Sequence, residues 1–247
     1  MEAARRIRNA VAEVALLRQA VEANPVLGTA LAQVKSVQSR RFAGSYADLL
    51  AGGPYSAAAR FFLDELYSDK DYAQRDAQFS RIAGAIEKLF PAQVVDTAVA
   101  MAELHAVTEE LDQAMALAWL GQADEGLSLA RRYVLAWREV GRRPDRDNQL
   151  SVVMAMGEEM DRLTRHSGLR IMLRMMRGPG AAAGLGSLQR FLEGGFDTFA
   201  AMAKGKGGAA GFLKIIETRE SALIRMLFEG DLVACETDLA RALGQAL

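Results

Sequence analysis

The chain has 247 residues, with 30 basic and 31 acidic side chains, two histidines and one cysteine, and 51% of it is apolar. That apolar content at a net charge of −1 excludes intrinsic disorder. The single Cys235 excludes an internal disulfide framework and a thiolate zinc site.

The richest apolar run, Ala114 to Leu120, is far shorter than the roughly 18 residues of a membrane span, so no membrane association is expected. Arg5, Arg6 and Arg8 precede an apolar stretch, as in a signal peptide. Glu13 and Arg18 interrupt that stretch, and no small-residue cleavage site follows. An amphipathic first helix and a cytoplasmic protein are the expectation.

Helix-period patterning runs along nearly the whole chain, and no strand pattern emerges. Alanine, leucine and methionine, all good helix formers, dominate. The first helix is expected over about 2–23, with Ile7, Val11, Val14 and Leu17 on one side and Asn24-Pro25 at its end. A second follows over about 26–41, then a short turn of helix over 46–51. Gly52-Gly53-Pro54 breaks the chain. Ser56 is the expected N-cap of a helix reaching Tyr67, and Asp69 or Asp71 of one ending near Phe90. Pro91 suits the first turn of a long helix to about Leu120.

Gly121 punctuates, and a further helix is expected from Asp124 to Val140. After Gly141-Arg142-Arg143-Pro144, Asp145 or Asp147 is expected to cap a helix running on to Met176. The glycine-rich segment 177–187 is the clearest break. Beyond it come three shorter helices over about 187–203, 209–229 and 231–245. The fold class expected is therefore all-α: a bundle of about nine or ten helices, with a globin-like arrangement among the options. Residues 1–176 would form the main bundle, 177–187 a connector, and 188–247 a smaller helical subdomain packed on the first.

Charge is uneven along the chain. Residues 60–125 carry a net −8 and residues 131–177 a net +5, the latter from 11 arginines against 6 acids. The simpler reading sets these segments against each other within a bundle or across a homodimer. An isoelectric point near 6.2 argues against nucleic acid as a partner.

Three groups of residues could carry chemistry. The corner from Phe61 to Asp76 concentrates aromatic and acidic side chains. Asp64, Glu65, Arg75 and Asp76 there are either caps and ion pairs or the lining of a site. His105 lies on a mostly apolar face with Glu109 four and Asp112 seven residues on, which makes one of those carboxylates its expected partner. A di-iron bundle needs Glu-x-x-His on two helices. The positions three before His105 and His166 are Ala102 and Leu163, so no metal centre is expected. A non-covalent haem asks only for one ligand in an apolar pocket, and His105 meets that in composition. The third group is the methionines at 154, 156, 160, 172, 175 and 176, a setting for an adaptable pocket or a dimer face, with Met156 and Met160 as the ligand-binding candidates.

Phe61-Phe62-Leu63-Asp64-Glu65-Leu66-Tyr67 followed by Asp71 and Arg75-Asp76 resembles a family of uncharacterised bacterial helical proteins. Leu188-Gln189-Arg190-Phe191-Leu192-Glu193 with Gly195-Phe196 and Phe199 is similar to it as well. The resemblance implies a bacterial cytoplasmic protein. It brings no activity, so no catalytic residue is carried over.

Three functions remain. The first is a non-catalytic helical protein binding an apolar small molecule or a protein partner, with a homodimer as one form. The second is a haem or other cofactor protein using His105. The third is an enzyme with Asp64, Glu65, Arg75, Asp76, His105 and Glu109 between the helices at 56–67 and 92–120. Gly-x-Ser-x-Gly and P-loop signatures are absent from the chain.

Overall fold

The computed structural model describes residues 1–67, 70, 72–122 and 126–244, the side chain of Ser167 excepted. Every regular element among them is helical. They are α1 (Glu2–Glu22), α2 (Pro25–Ser45), α3 (Ala47–Leu50), α4 (Ser56–Glu65), α5 (Ala73–Leu89), α6 (Ala92–Gly121) and α7 (Leu129–Val140). There follow α8 (Arg143–Thr164), α9 (Ser167–Met175), α10 (Arg177–Ala182), α11 (Gly186–Met202), α12 (Gly208–Glu229) and α13 (Leu232–Gly244). No helix among the described residues is long and apolar enough to cross a membrane.

Local chemistry sets several boundaries. Asn24 Oδ1 accepts from Leu27 N at 3.2 Å with Pro25 in the first turn, so the Asn-Pro pair that ends α1 also starts α2. Ser128 Oγ accepts from Arg131 N at 3.1 Å and opens α7. Asp231 Oδ1 accepts from Val233 N and Ala234 N, each at 3.0 Å, and opens α13. Gly141 ends α7 at φ 62°, and Arg142 follows at φ 54°, a rare conformation for a side-chain-bearing residue. Arg142 is held there by Glu110 and Asp145, each 2.6 Å away.

Some boundaries differ from the sequence expectation. Ser56 is the first helical residue of α4 rather than its cap, and its hydroxyl donates to Leu50 O at 3.4 Å. The helix expected to reach Met176 is divided at Arg165–His166, where Thr164, Ser167 and Gly168 are weak helix formers. The glycine-rich segment contains α10, in which Pro179 sits in the first turn, where no backbone donor is required. The expected caps Asp69 and Asp71, the expected start Asp124 and the expected end Gln245 lie outside the described residues.

The chain forms two compact units that do not follow chain order. The first comprises Met1–Leu16, Lys70–Ala106 and Val152–Leu213, and so contains segment 177–187. The second comprises Leu17–Asp69, Val107–Ser151 and Lys214–Leu247. The core of the first includes Ile7, Val14, Ala83, Val99 and Leu188. That of the second includes Val34, Met115, Trp119, Val134, Leu227 and Leu239. In the second unit α2 and α13 meet at backbone distance: an ideal Cβ on Gly44 would lie 1.7 Å from Ala242 O.

Candidate functional site

In the first unit α5 and α6 bring Asp76 and His105 together. His105 Nε2 lies 2.9 Å from Asp76 Oδ2, and Asp76 is buried. A carboxylate acceptor fixes the ring hydrogen on Nε2, which leaves Nδ1 of the neutral imidazole as an acceptor. Tyr72 meets the imidazole edge-on, with ring centres 6.5 Å apart. The Arg75 guanidinium sits 3.9 Å from the Tyr72 ring centre and 4.4 Å from that of Phe191. Sandwiched between two aromatic faces, it is a pre-positioned cation. Gln78 Oε1 accepts from Leu188 N at 2.9 Å and ties the start of α11, which carries Phe191, to α5. The arrangement supplies an oriented imidazole, suited to taking a proton or holding a ligand, beside a fixed positive charge.

The other sequence-derived candidates lie elsewhere. Neither carboxylate expected to partner His105 does so. Glu109, in the second unit, accepts from Lys35 Nζ at 2.8 Å and 2.9 Å, and Asp112 accepts from Gln38 Nε2 at 2.9 Å. Asp64 is exposed on α4, and with Glu65 it belongs to the second unit, whereas Arg75, Asp76 and His105 belong to the first. Met156 and Met160 are half-buried on α8, while Met175 and Met176 are exposed. Among the described residues no group of three or more His, Cys, Asp or Glu side chains is placed to hold a metal ion.

The second unit carries a buried ionic network that sequence reasoning missed. Arg41 Nη1 donates to Glu220 Oε1 at 2.6 Å, and Tyr46 Oη donates to the same oxygen at 2.9 Å. Arg41 also lies over the ring of Tyr67, 5.4 Å from its centre, and Tyr67 stacks on Phe42. Burial opposes the Arg41 charge, and the facing Glu220 carboxylate more than offsets it, so the guanidinium stands above its ordinary value. Burial pushes the phenols of Tyr46 and Tyr67 up, with the Glu220 charge adding to it.

Elsewhere in the same unit, Arg146 lies over Trp137, with the guanidinium carbon 4.3 Å from the ring centre. Its Nη1 donates to Gln149 Oε1 at 3.1 Å, and Gln149 Nε2 donates to Thr108 Oγ1 at 2.8 Å. Burial lowers the proton affinity of Arg146 and raises that of Asp112 and Tyr133. A signal for the network exists in the sequence. Arg41 falls on the apolar period Val34, Val37, Arg41, Gly44, and Glu220 on Ile216, Glu220, Ile224, Leu227. A charge on a buried stripe needs a partner of opposite sign.

No curated protein and no solved structure matches the chain. A family described as Domain of unknown function (DUF8198) matches residues 17–233, a span that includes both segments on which the resemblance to an uncharacterised helical family was read. With most of its length inside that match, the chain belongs to the DUF8198 family.

Proposed function

We propose that the protein acts by binding a protein partner rather than by catalysis, with α9 as the docking element and a second copy of the chain as the occupant. The carrying observation is the outer face of that helix. Ile171 is 59% and Met175 73% exposed, four residues apart on one stripe, and Met176, just past the helix end, is exposed as well. Leu169, Met172 and Leu173 on the same helix are half-buried, so α9 is apolar on more than the side it covers. Methionine side chains adapt to varied apolar partners.

Sedimentation velocity over a concentration series tests the reading. The wild type self-associates, and Ile171→Glu and Met175→Glu remain monomeric with unchanged helical circular dichroism. A wild type that stays monomeric throughout overturns the choice of occupant.

A second reading rests on the Asp76–His105 pair, which supplies an oriented imidazole for proton transfer or ligand binding. Haem has less support there than at the sequence level. Nε2, the outward nitrogen, is engaged by Asp76, and Nδ1 lies beside the ring's own Cβ. Titration with zinc or cobalt, followed by the nitrogen-15 resonances of His105, displaces Nδ1 if the ring is a ligand. An unchanged spectrum removes that reading.

A further inference from the structure

We propose that the second unit holds a small anion against two buried nitrogen donors, Trp137 Nε1 and Arg146 Nη2. Both atoms are shielded from solvent, and neither meets a hydrogen-bond acceptor among the described residues. The two side chains are stacked on each other, 4.3 Å from guanidinium carbon to ring centre, so the unmet donors belong to one place in the core. An indole and a guanidinium are donors only. Their complement must therefore be an acceptor. A buried donor left unmatched is costly, and a matched one is not.

The charge balance says which kind of acceptor. Among the described residues the one side-chain hydrogen bond of Arg146 goes to a neutral amide oxygen on Gln149. Among the described residues Asp112 is the carboxylate acting on it. Asp112 accepts instead from Gln38, and burial moves it toward its protonated form. Arg142 adds a second positive influence, although its own hydrogen bonds are met by Glu110 and Asp145. A negative acceptor thus gains more from the guanidinium than a water oxygen or a carbonyl would. Trp137 is 6% and Arg146 7% exposed, so the acceptor is one that is shielded from solvent with them. Two donors, one of them on a single cation, suit a compact monovalent ion, either a halide or nitrate, or the carboxylate of a small organic acid.

Crystals of the intact protein grown in sodium bromide and measured at the bromine edge test the site directly. An anomalous peak within hydrogen-bond reach of both nitrogens is expected. A water molecule or a protein oxygen in that place, with no bromine signal, overturns the proposal. In solution, bromide exchanged for gluconate at constant ionic strength raises the unfolding temperature in proportion to the logarithm of bromide concentration once that exceeds the dissociation constant, as binding to the folded state alone requires. Trp137→Phe weakens the apparent affinity about tenfold, the worth of one hydrogen bond to a charged group. Arg146→Met abolishes the effect. If the arginine variant does not fold, the crystal and the Trp137→Phe titration still decide. A shift that is linear in bromide concentration and unchanged in Trp137→Phe is a general salt effect and overturns the site. Sodium acetate then separates the two sources: competition with bromide marks an organic carboxylate, and its failure to compete marks an inorganic ion.

Discussion

Arg41 and Glu220 form a buried ion pair at 2.6 Å across 179 residues of sequence. The two charges are tolerable in the core only together, since their mutual attraction offsets desolvation that either would suffer unpaired. Glu220→Leu leaves the Arg41 guanidinium buried and unmatched, and a loss of about 3–5 kcal/mol is expected in urea unfolding. Arg41→Met combined with Glu220→Leu restores most of that loss, because an apolar pair can replace a buried ionic one. A double variant as unstable as Glu220→Leu would show that Tyr46 and Tyr67 need the carboxylate more than the arginine does.

Close backbone contact makes the opposite kind of demand. A Cβ on Gly44 would fall 1.7 Å from Ala242 O, where no side chain can yield. Gly44→Ala must push α2 and α13 apart, and a loss of about 1–3 kcal/mol or more is expected. Gly28 lies on the same helix, and its nearest neighbour to an added Cβ is Val21 Cγ1 at 3.6 Å, an ordinary contact. Gly28→Ala therefore gains about 0.5–1 kcal/mol from helix propensity. Thermal or urea unfolding of the two variants, side by side, checks both signs.

The Asp76–His105 contact predicts a tautomer. With Asp76 as acceptor at 2.9 Å, neutral His105 carries its hydrogen on Nε2, and Nδ1 is bare. Nitrogen-15 correlation spectra report this directly. Asp76→Ala should return the ring to a mixture of tautomers while His166, exposed between α8 and α9, stays as it was. A ring found with its hydrogen on Nδ1 in the wild type would remove the proton-acceptor role.

These pairs also mark where the sequence was legible and where it was not. The C-terminal helices can be read because Lys204–Gly208 and Gly230-Asp231 interrupt clear apolar periods, and Asp231 caps α13. The end of α2 cannot be read, because Arg40-Arg41 looks like a solvated stop. Arg41 is core only through Glu220, far along the chain. The partner of His105 failed for a related reason. The i+4 and i+7 carboxylates share its helix face, but α6 passes from one unit to the other after Ala106, and Lys35 and Gln38 take Glu109 and Asp112. Asp76 lies 29 residues earlier, on a different helix, and no local period points to it.

Asp112 makes stability depend on pH with a sign that can be worked out. Burial raises its proton affinity in the fold, while Lys35, Arg146 and the Gln38 hydrogen bond work against that rise. Between the ordinary aspartate value of about 4 and its raised native value, the folded state keeps a proton that the unfolded chain has released. The contribution of protonated Asp112 is thus complete below the ordinary value and is lost as pH rises through the native one. Asp112→Asn keeps an Oδ1 acceptor for Gln38 and carries no charge to desolvate. Measured against pH by urea unfolding, the advantage of the variant over the wild type should grow across that window and then level off. If instead the variant loses ground as pH rises, the attraction of Lys35 and Arg146 for the carboxylate outweighs its burial, and Asp112 is the native counter-charge of Arg146.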